Sequence, residues 1–187
     1  MQHFQEGKNV KLSVIIPALN EEKTLGGVIR RVPERVQGIE EVGVIVVDDG
    51  STDRTAQVAE DSGADIVAHE ENRGVGAAFR TGLETALQNG ADIVVNMDGD
   101  GQFHPEHIPD LIRPITEDGY GFVTCTRFRN SEWEPDMPRV KRWGNAMMCH
   151  LINWIIKGGR FTDVSCGFRA YSRDAALKLT LFGEFTY

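Results

Sequence analysis

The chain has 187 residues, of which 41% are hydrophobic and 26% charged; Lys+Arg total 20 and Asp+Glu 28, a formal net charge of −8. That size and composition suit one ordinary globular domain and exclude wholesale disorder. The acidic balance argues against a general binder of nucleic acid or of anionic membranes, while leaving room for phosphates held through a divalent cation.

In chain order, LSVIIP (Leu12 to Pro17) reads as a buried strand. Leu25, Val28, Ile29, Val32 and Val36 follow at helical spacing, with Asn20 as a cap and Glu21 and Glu22 in the first turn. VGVIVVDD (Val42 to Asp49) is a second strand, closed by the turn Gly50-Ser51-Thr52. Residues 53–61 suit a short helix and Ile66–Ala68 a short strand, and Val75, Phe79, Leu83 and Leu87 line one helical face. ADIVVNMD (Ala91 to Asp98) is a further strand, and Pro105 opens a helix carrying Ile108, Leu111, Ile112 and Ile115. Gly121 to Thr126 reads as a strand, 127–138 as a loop with Trp133 and two prolines, Arg139 to Lys157 as a helix and Gly167 to Ser172 as a last strand. Continuous apolar strands alternating with helices predict an α/β domain with a mostly parallel central sheet.

In such sheets ligands bind outside the carboxyl ends of the strands, and the polar clusters PALNE, DDGSTD, NRGVG and DGDGQ all follow strands. Asp98-Gly99-Asp100 can converge on one hard cation, Mg²⁺ or Mn²⁺, that keeps positions open for phosphate oxygens. An aspartyl-phosphate nucleophile is disfavoured because Gln102 stands where Thr or Val is needed. An EF-hand is disfavoured because Pro109 occupies the place of its last Glu. A carboxylate at Asp48 or Asp49 can accept from a nucleobase or a ribose. The loop Asn72-Arg73-Gly74-Val75-Gly76 suits a pyrophosphate but fails GxGxxG, since Phe79 replaces the third glycine. His104 and His107 read as solvated side chains, and His3, His69 and His150 carry no signal. Cys125, Cys149 and Cys166 are odd in number and form no CxxC or zinc module, which reads as buried thiols in a reducing compartment. The polar N-terminus has no signal-peptide core and no run reaches the ~18 apolar residues of a membrane span, so the expected location is cytoplasmic.

Taken together, Pro17-x-x-Asn20-Glu21, VVDDGSTDRT, NRGVGAA, MDGDGQ, Thr126-Arg127-Phe128 and Cys166-Gly167-Phe168-Arg169 occur in an order that resembles the inverting nucleotide-sugar glycosyltransferases of the GT-A fold. The resemblance is to those acting on polyprenyl phosphates, such as the dolichyl-phosphate mannose and glucose synthases, and it covers roughly Leu12 to Ser172. It implies one Rossmann-like GT-A domain over 1–187, truncated at its C-terminal end. It also implies transfer from a GDP- or UDP-linked sugar to a polyprenyl (dolichyl or undecaprenyl) phosphate, with Mg²⁺ or Mn²⁺ and without nucleic acid.

By that resemblance Pro17, Leu19 and Glu21 border the nucleoside, and Asp49, ahead of Asp48, contacts base or ribose. Asp98, Gly99 and Asp100 face the diphosphate, with Asp98, Asp100 and Gln102 on the metal. Arg127 neutralises phosphate charge, and Arg142 and Asn145 lie on the acceptor side. Asp163 is the base that a hydroxyl acceptor would need, which makes Asp98, Asp100, Arg127 and Asp163 the catalytic set. Phe103 departs from the histidine often found there, and Cys125-Thr126-Arg127 replaces a small-Ser-Arg element. The run Ala146 to Ile156, flanked by Arg139, Lys141, Arg142 and Lys157, reads as a helix lying on the cytoplasmic face of a membrane, with a core helix as its alternative. The other readings left open are a soluble or polysaccharide hydroxyl acceptor, a nucleotidyltransferase and a non-catalytic sugar-nucleotide-binding domain.

Overall fold

The first strand, β1 (Lys11–Ala18), buries five residues in succession. A strand covered on both faces has to lie inside a sheet flanked by helices. In the computed structural model, which describes residues 9–128, 138–156 and 161–180, β1 pairs in parallel with β2 (Glu41–Asp48) and with β4 (Ile93–Asn96). The strand β3 (Asp65–Ala68) adds in parallel to β2, and β6 (Arg169–Ser172) adds antiparallel to β4. With β5 (Phe122–Thr124) at the edge, the order is β3-β2-β1-β4-β6-β5. The helices are α1 (Leu25–Arg30), α2 (Thr55–Asp61), α3 (Val75–Gln88), α4 (Ile108–Thr116), α5 (Arg139–Ile155) and α6 (Arg173–Thr180), with a 3₁₀ turn at Pro105–His107 leading into α4. The chain divides into two compact units, residues 1–123 with 168–187, and residues 124–167.

In the sheet unit the two faces of β1 serve different helices. Ile15 joins Ile45, Val94 and Tyr171 in a cluster closed by Leu83, Ala86 and Leu87 of α3 and Ala176 of α6. Ile16 turns to the opposite face, towards Leu25 of α1. No polar side chain can leave such a strand sideways without losing water, so polar chemistry is confined to its ends.

Several predicted boundaries shift, each for a local reason. The first helix ends at Arg30 instead of running to Val36. Pro33 has no N–H to continue the ladder and disfavours helical backbone before it, yet Val32 and Val36 stay buried. Thr24, not Asn20, precedes α1, because Asn20 takes a left-handed φ of 56° and its side chain is used elsewhere. The strands β4, β5 and β6 are shorter than their apolar runs. The last helix, α6, was not expected, since its residues show no long apolar face. Most of the predicted loop at 127–138, with Trp133, and the basic residues Arg129 and Lys157 lie outside the described residues.

Ile15 is fully buried at the centre of this packing. Ile15→Ala is expected to cost about 2–5 kcal/mol, seen as a lower urea midpoint with an unchanged slope.

Candidate active site

The loops that follow β1, β2 and β3 are tied together by side-chain hydrogen bonds. The Asn20 N–H donates to Ser51 Oγ at 2.9 Å, and Asn20 Oδ1 accepts from the Thr52 N–H at 2.9 Å. The Glu21 N–H donates to Thr55 Oγ1 at 2.8 Å, the Glu22 N–H to Asp53 at 3.2 Å, and the Arg54 N–H back to Glu22 at 3.2 Å. Asp53 also accepts from the Thr55 N–H at 2.9 Å, at the start of α2. Pro17 sits half-buried near the end of β1, Leu19 is exposed just beyond it, and the Glu21 carboxylate accepts from Thr24 Oγ1 at 2.8 Å.

Asp48 and Asp49 end up in different environments, although they are neighbours and both are buried. Asp48 Oδ1 accepts the Ser51 N–H at 3.0 Å, which forms the turn after β2. Asp49 is engaged on both oxygens. Its Oδ1 accepts the Arg73 N–H at 3.0 Å and His69 Nδ1 at 2.7 Å, and its Oδ2 accepts the Gly74 N–H at 2.8 Å. Burial alone would raise the Asp49 pKa, but the donors from Arg73, His69 and Gly74 outweigh it and hold the carboxyl below its usual range. Gly50 between these loops has φ +77°, and a Cβ there would lie 2.6 Å from the Glu71 carbonyl carbon, so only glycine fits. His69, which the sequence reading passed over, is thus part of this framework. Its signal was position, one residue past the end of β3.

Asp98, Gly99 and Asp100 follow β4, whose ladder is extended by the Met97 N–H donating to Ile15 O at 3.1 Å. Both carboxylates are half-buried, Gly99 is buried and Gln102 is exposed. A Cβ on Gly99 would come within 3.3 Å of Leu25 and 3.4 Å of Ile16, so the turn is seated on the core. Asp100 Oδ1 accepts the Gln102 N–H at 2.9 Å. Among the described residues no three His, Cys, Asp or Glu side chains converge as a protein-only metal cage would need. A pair of partly exposed carboxylates instead suits Mg²⁺ or Mn²⁺, which complete their shells with phosphate oxygens and water. Phe103, the departure noted above, is buried against Phe168 with ring centroids 5.6 Å apart.

In the 124–167 unit, Arg127 and Asp163 form a two-point ion pair. Arg127 Nε donates to Asp163 Oδ2 at 2.8 Å and Nη2 to Oδ1 at 3.2 Å, while Nη2 also reaches Ser165 Oγ at 2.8 Å. Asp163 takes the Ser165 N–H at 3.0 Å as well. Burial pushes the Asp163 pKa up, but Arg127 and Ser165 pull it further down, and the carboxyl stays below its ordinary range. The segment that carries it is held by α5. Asn145 Oδ1 accepts the Val164 N–H at 3.0 Å, and Asn153 clasps both backbone groups of Phe161 at 2.7 and 2.8 Å. The inward side of α5 carries Asn145 and Asn153 with the buried Cys149 and the half-buried Ile152. Most of its large apolar side chains are exposed, Trp154 81% and Trp143 68%, beside Met147, Leu151 and Ile155. Arg142 is exposed and stacks over Phe128, 5.9 Å from the ring centroid.

The strand order, the antiparallel β6 and the helices on the sheet's faces define the GT-A fold, the class of nucleotide-sugar glycosyltransferases. Residues 13–180 match the model of glycosyl transferase family 2, and the chain belongs to that family. It is 35% identical over 179 residues to a UDP-N-acetylglucosamine–dolichyl-phosphate N-acetylglucosaminyltransferase of Methanococcus voltae, covering 87% of this chain and 69% of that protein. It is 30% identical over 181 residues to an undecaprenyl-phosphate mannosyltransferase of Micrococcus luteus, covering 92% and 70%. A solved glucosyl-3-phosphoglycerate synthase of Mycobacterium tuberculosis, in complex with Mn²⁺, UDP-glucose and phosphoglyceric acid, superposes with a TM-score of 0.64 at 29% identity. That match covers 88% of this chain and 57% of the solved one, so the chain spans little more than half of that structure.

The Arg127–Asp163 pair has a signed pH consequence. Folding lowers the proton affinity of Asp163, so its contribution to stability is complete at neutral pH. It begins to fall near the ordinary carboxylate pKa of about 4 and is lost as pH drops through the depressed value. Removing the cation reverses the sign, because burial then dominates. Arg127→Met is expected to lose about 3–5 kcal/mol at pH 7 and to regain part of it on mild acidification, where the wild type loses stability; urea melts at a series of pH values compare the two.

Proposed function

We propose that this chain transfers a glycosyl group, with inversion, from a nucleoside-diphosphate sugar to a polyprenyl phosphate. Family membership and the polyprenyl-phosphate transferases among its relatives support the reaction class. The observation that carries the acceptor assignment is the state of Asp163. A hydroxyl acceptor needs a base, and the sequence reading assigned that role to Asp163. Its two oxygens are instead engaged by Arg127 and Ser165, it is 1% exposed, and its proton affinity is low. An acceptor phosphate needs no base, since it is already anionic at neutral pH.

In this reading an acceptor phosphate oxygen attacks the anomeric carbon from the face opposite the diphosphate. The carbon–oxygen bond to the diphosphate breaks, the electron pair leaves with it, and no proton has to move. Asp98 and Asp100, with Gln102, would hold Mg²⁺ or Mn²⁺, whose charge offsets that of the leaving group. The expectation put Asp49 ahead of Asp48 on the nucleoside; with both Asp49 oxygens engaged by His69, Arg73 and Gly74, this reading gives that contact to Asp48, with Pro17, Leu19 and Glu21 beside it, and leaves Asp49 to fix the loop. Arg127 and Arg142 serve phosphate charge in the 124–167 unit. Asp163 keeps Arg127 in place, and Asn145 keeps Asp163 in place. Uridine is favoured as the base by the name of the Methanococcus voltae relative and by the nucleotide sugar in the mycobacterial structure.

The outward apolar side of α5, with Lys141 and Arg142 exposed near its start, supports contact with a lipid surface, where the tail of such an acceptor must remain. No helix among the described residues is long and apolar enough to cross a membrane. The phosphoglyceric acid in the mycobacterial structure favours a second reading, a soluble phosphorylated acceptor.

Calorimetry with UDP and GDP is expected to show binding that needs Mn²⁺ or Mg²⁺ and that Asp100→Ala abolishes while the melting temperature holds. Equal affinity in EDTA would defeat the metal assignment. On flotation with liposomes containing polyprenyl phosphate the chain should rise weakly, and Ile155→Glu with Ile156→Glu should keep it at the bottom with nucleotide binding intact. Flotation untouched by those changes, with sugar transfer to phosphoglycerate, would favour the soluble acceptor.

A further inference from the structure

We propose that His69 is a positioning residue for the nucleoside end of the donor site, acting through Asp49; this rests on the reading above that the end of β2 receives the nucleoside. His69 follows β3 directly, and its backbone N–H donates to Asp48 O at 2.8 Å, so its own position is fixed by the sheet. The side chains of His69 and Asp49 are both only 5% exposed. A carboxylate oxygen only accepts, so Nδ1, 2.7 Å from Asp49 Oδ1, carries the proton of that bond. In the neutral ring Nε2 is then an acceptor, and Thr81 Oγ1 of α3, 2.9 Å away, is its donor. The imidazole thereby braces Asp49 against α3.

Asp49 passes that constraint to two loops. It holds the Arg73 and Gly74 N–H groups, and so the segment that enters α3, where Gly74 takes φ +87°. It also begins the turn through Gly50, which lies against the backbone of Glu71 and Asn72 so closely that no Cβ fits. Asp48, one residue earlier, shares that turn through the Ser51 N–H. A shift of Asp49 therefore cannot stay local, because the 71–74 segment and the Asp48 carboxylate must move with it. Asp98 and Asp100 lie after another strand, β4. The inference thus separates nucleoside affinity from metal requirement.

Two polar variants divide the histidine's two bonds. Asparagine places an amide nitrogen near the position of Nδ1, keeping the donor to Asp49 and losing Thr81. Glutamine places its amide near Nε2, keeping Thr81 and losing Asp49. Calorimetry with UDP and GDP, in Mn²⁺ and in EDTA, is run on the wild type, His69→Asn and His69→Gln. His69→Gln is expected to bind roughly tenfold more weakly, equivalent to about 1.4 kcal/mol, with an unchanged dependence on Mn²⁺. Its Arg73 and Gly74 amides should exchange hydrogen faster. His69→Asn should recover most of the affinity and the protection. Equal affinity in all three, or equal losses in both variants that track melting temperature, would overturn the inference while leaving the donor site standing. A wild type that binds neither diphosphate would overturn the donor-site reading itself, and this inference with it.

Discussion

Burial of β1 on both faces is the constraint on which the rest depends. Its neighbours β2 and β4 run parallel to it, so three strands end on the same side of the sheet. Along their length those strands offer mainly apolar side chains to α3, with α2 on β2 and α4 on β4, and an unpartnered polar group there would be left dry. The polar residues of the donor-side motifs are therefore gathered at the strand ends, Asp48 as the last paired residue of β2 and the others just beyond. Asp48 and Asp49 emerge at the end of β2, Asp98 and Asp100 beyond β4, and Asn20 and Glu21 beyond β1. Hydrogen bonding then does outside the sheet what packing does within it: side chains of one loop satisfy backbone groups of the next.

The outline of this arrangement was legible in the sequence because buried parallel strands read as unbroken apolar runs. LSVIIP, VGVIVVDD and ADIVVNMD stand out in that way, and the motifs were found at their ends. Partner choice was not legible. Asp48 and Asp49 are identical in type and adjacent, yet one shapes its own turn and the other clamps a loop some two dozen residues away. Only the fold brings Arg73 and Gly74 to Asp49. His69 was passed over for the same reason, since a lone histidine has no periodicity and its partners come from β2 and α3. Asp163 was recognised as a charged residue of interest, but its pairing with Arg127 across 36 positions was invisible. That pairing engages both oxygens of the carboxylate.

The 124–167 unit is built on a different principle from the sheet. Its fixed points are polar: the Arg127–Asp163 pair, and the two asparagines, Asn145 and Asn153, that hold the 161–164 segment from one side of α5. A polar network with every member satisfied fixes geometry more sharply than apolar contact, because each bond has a direction. The same network gives the pair its sensitivity, since loss of one partner strands a buried charge.

The exposed apolar side of α5 bears on how the molecule behaves in plain buffer. A row of tryptophan, methionine, leucine and isoleucine open to water is a colloidal handle. Salts such as sulfate that strengthen apolar association would drive copies of the chain together through it, whereas mild detergent would cap it. Cooling weakens apolar association and would disperse the copies. The exposed apolar side of α5 and the net charge of −8 then act in opposite directions on association between copies.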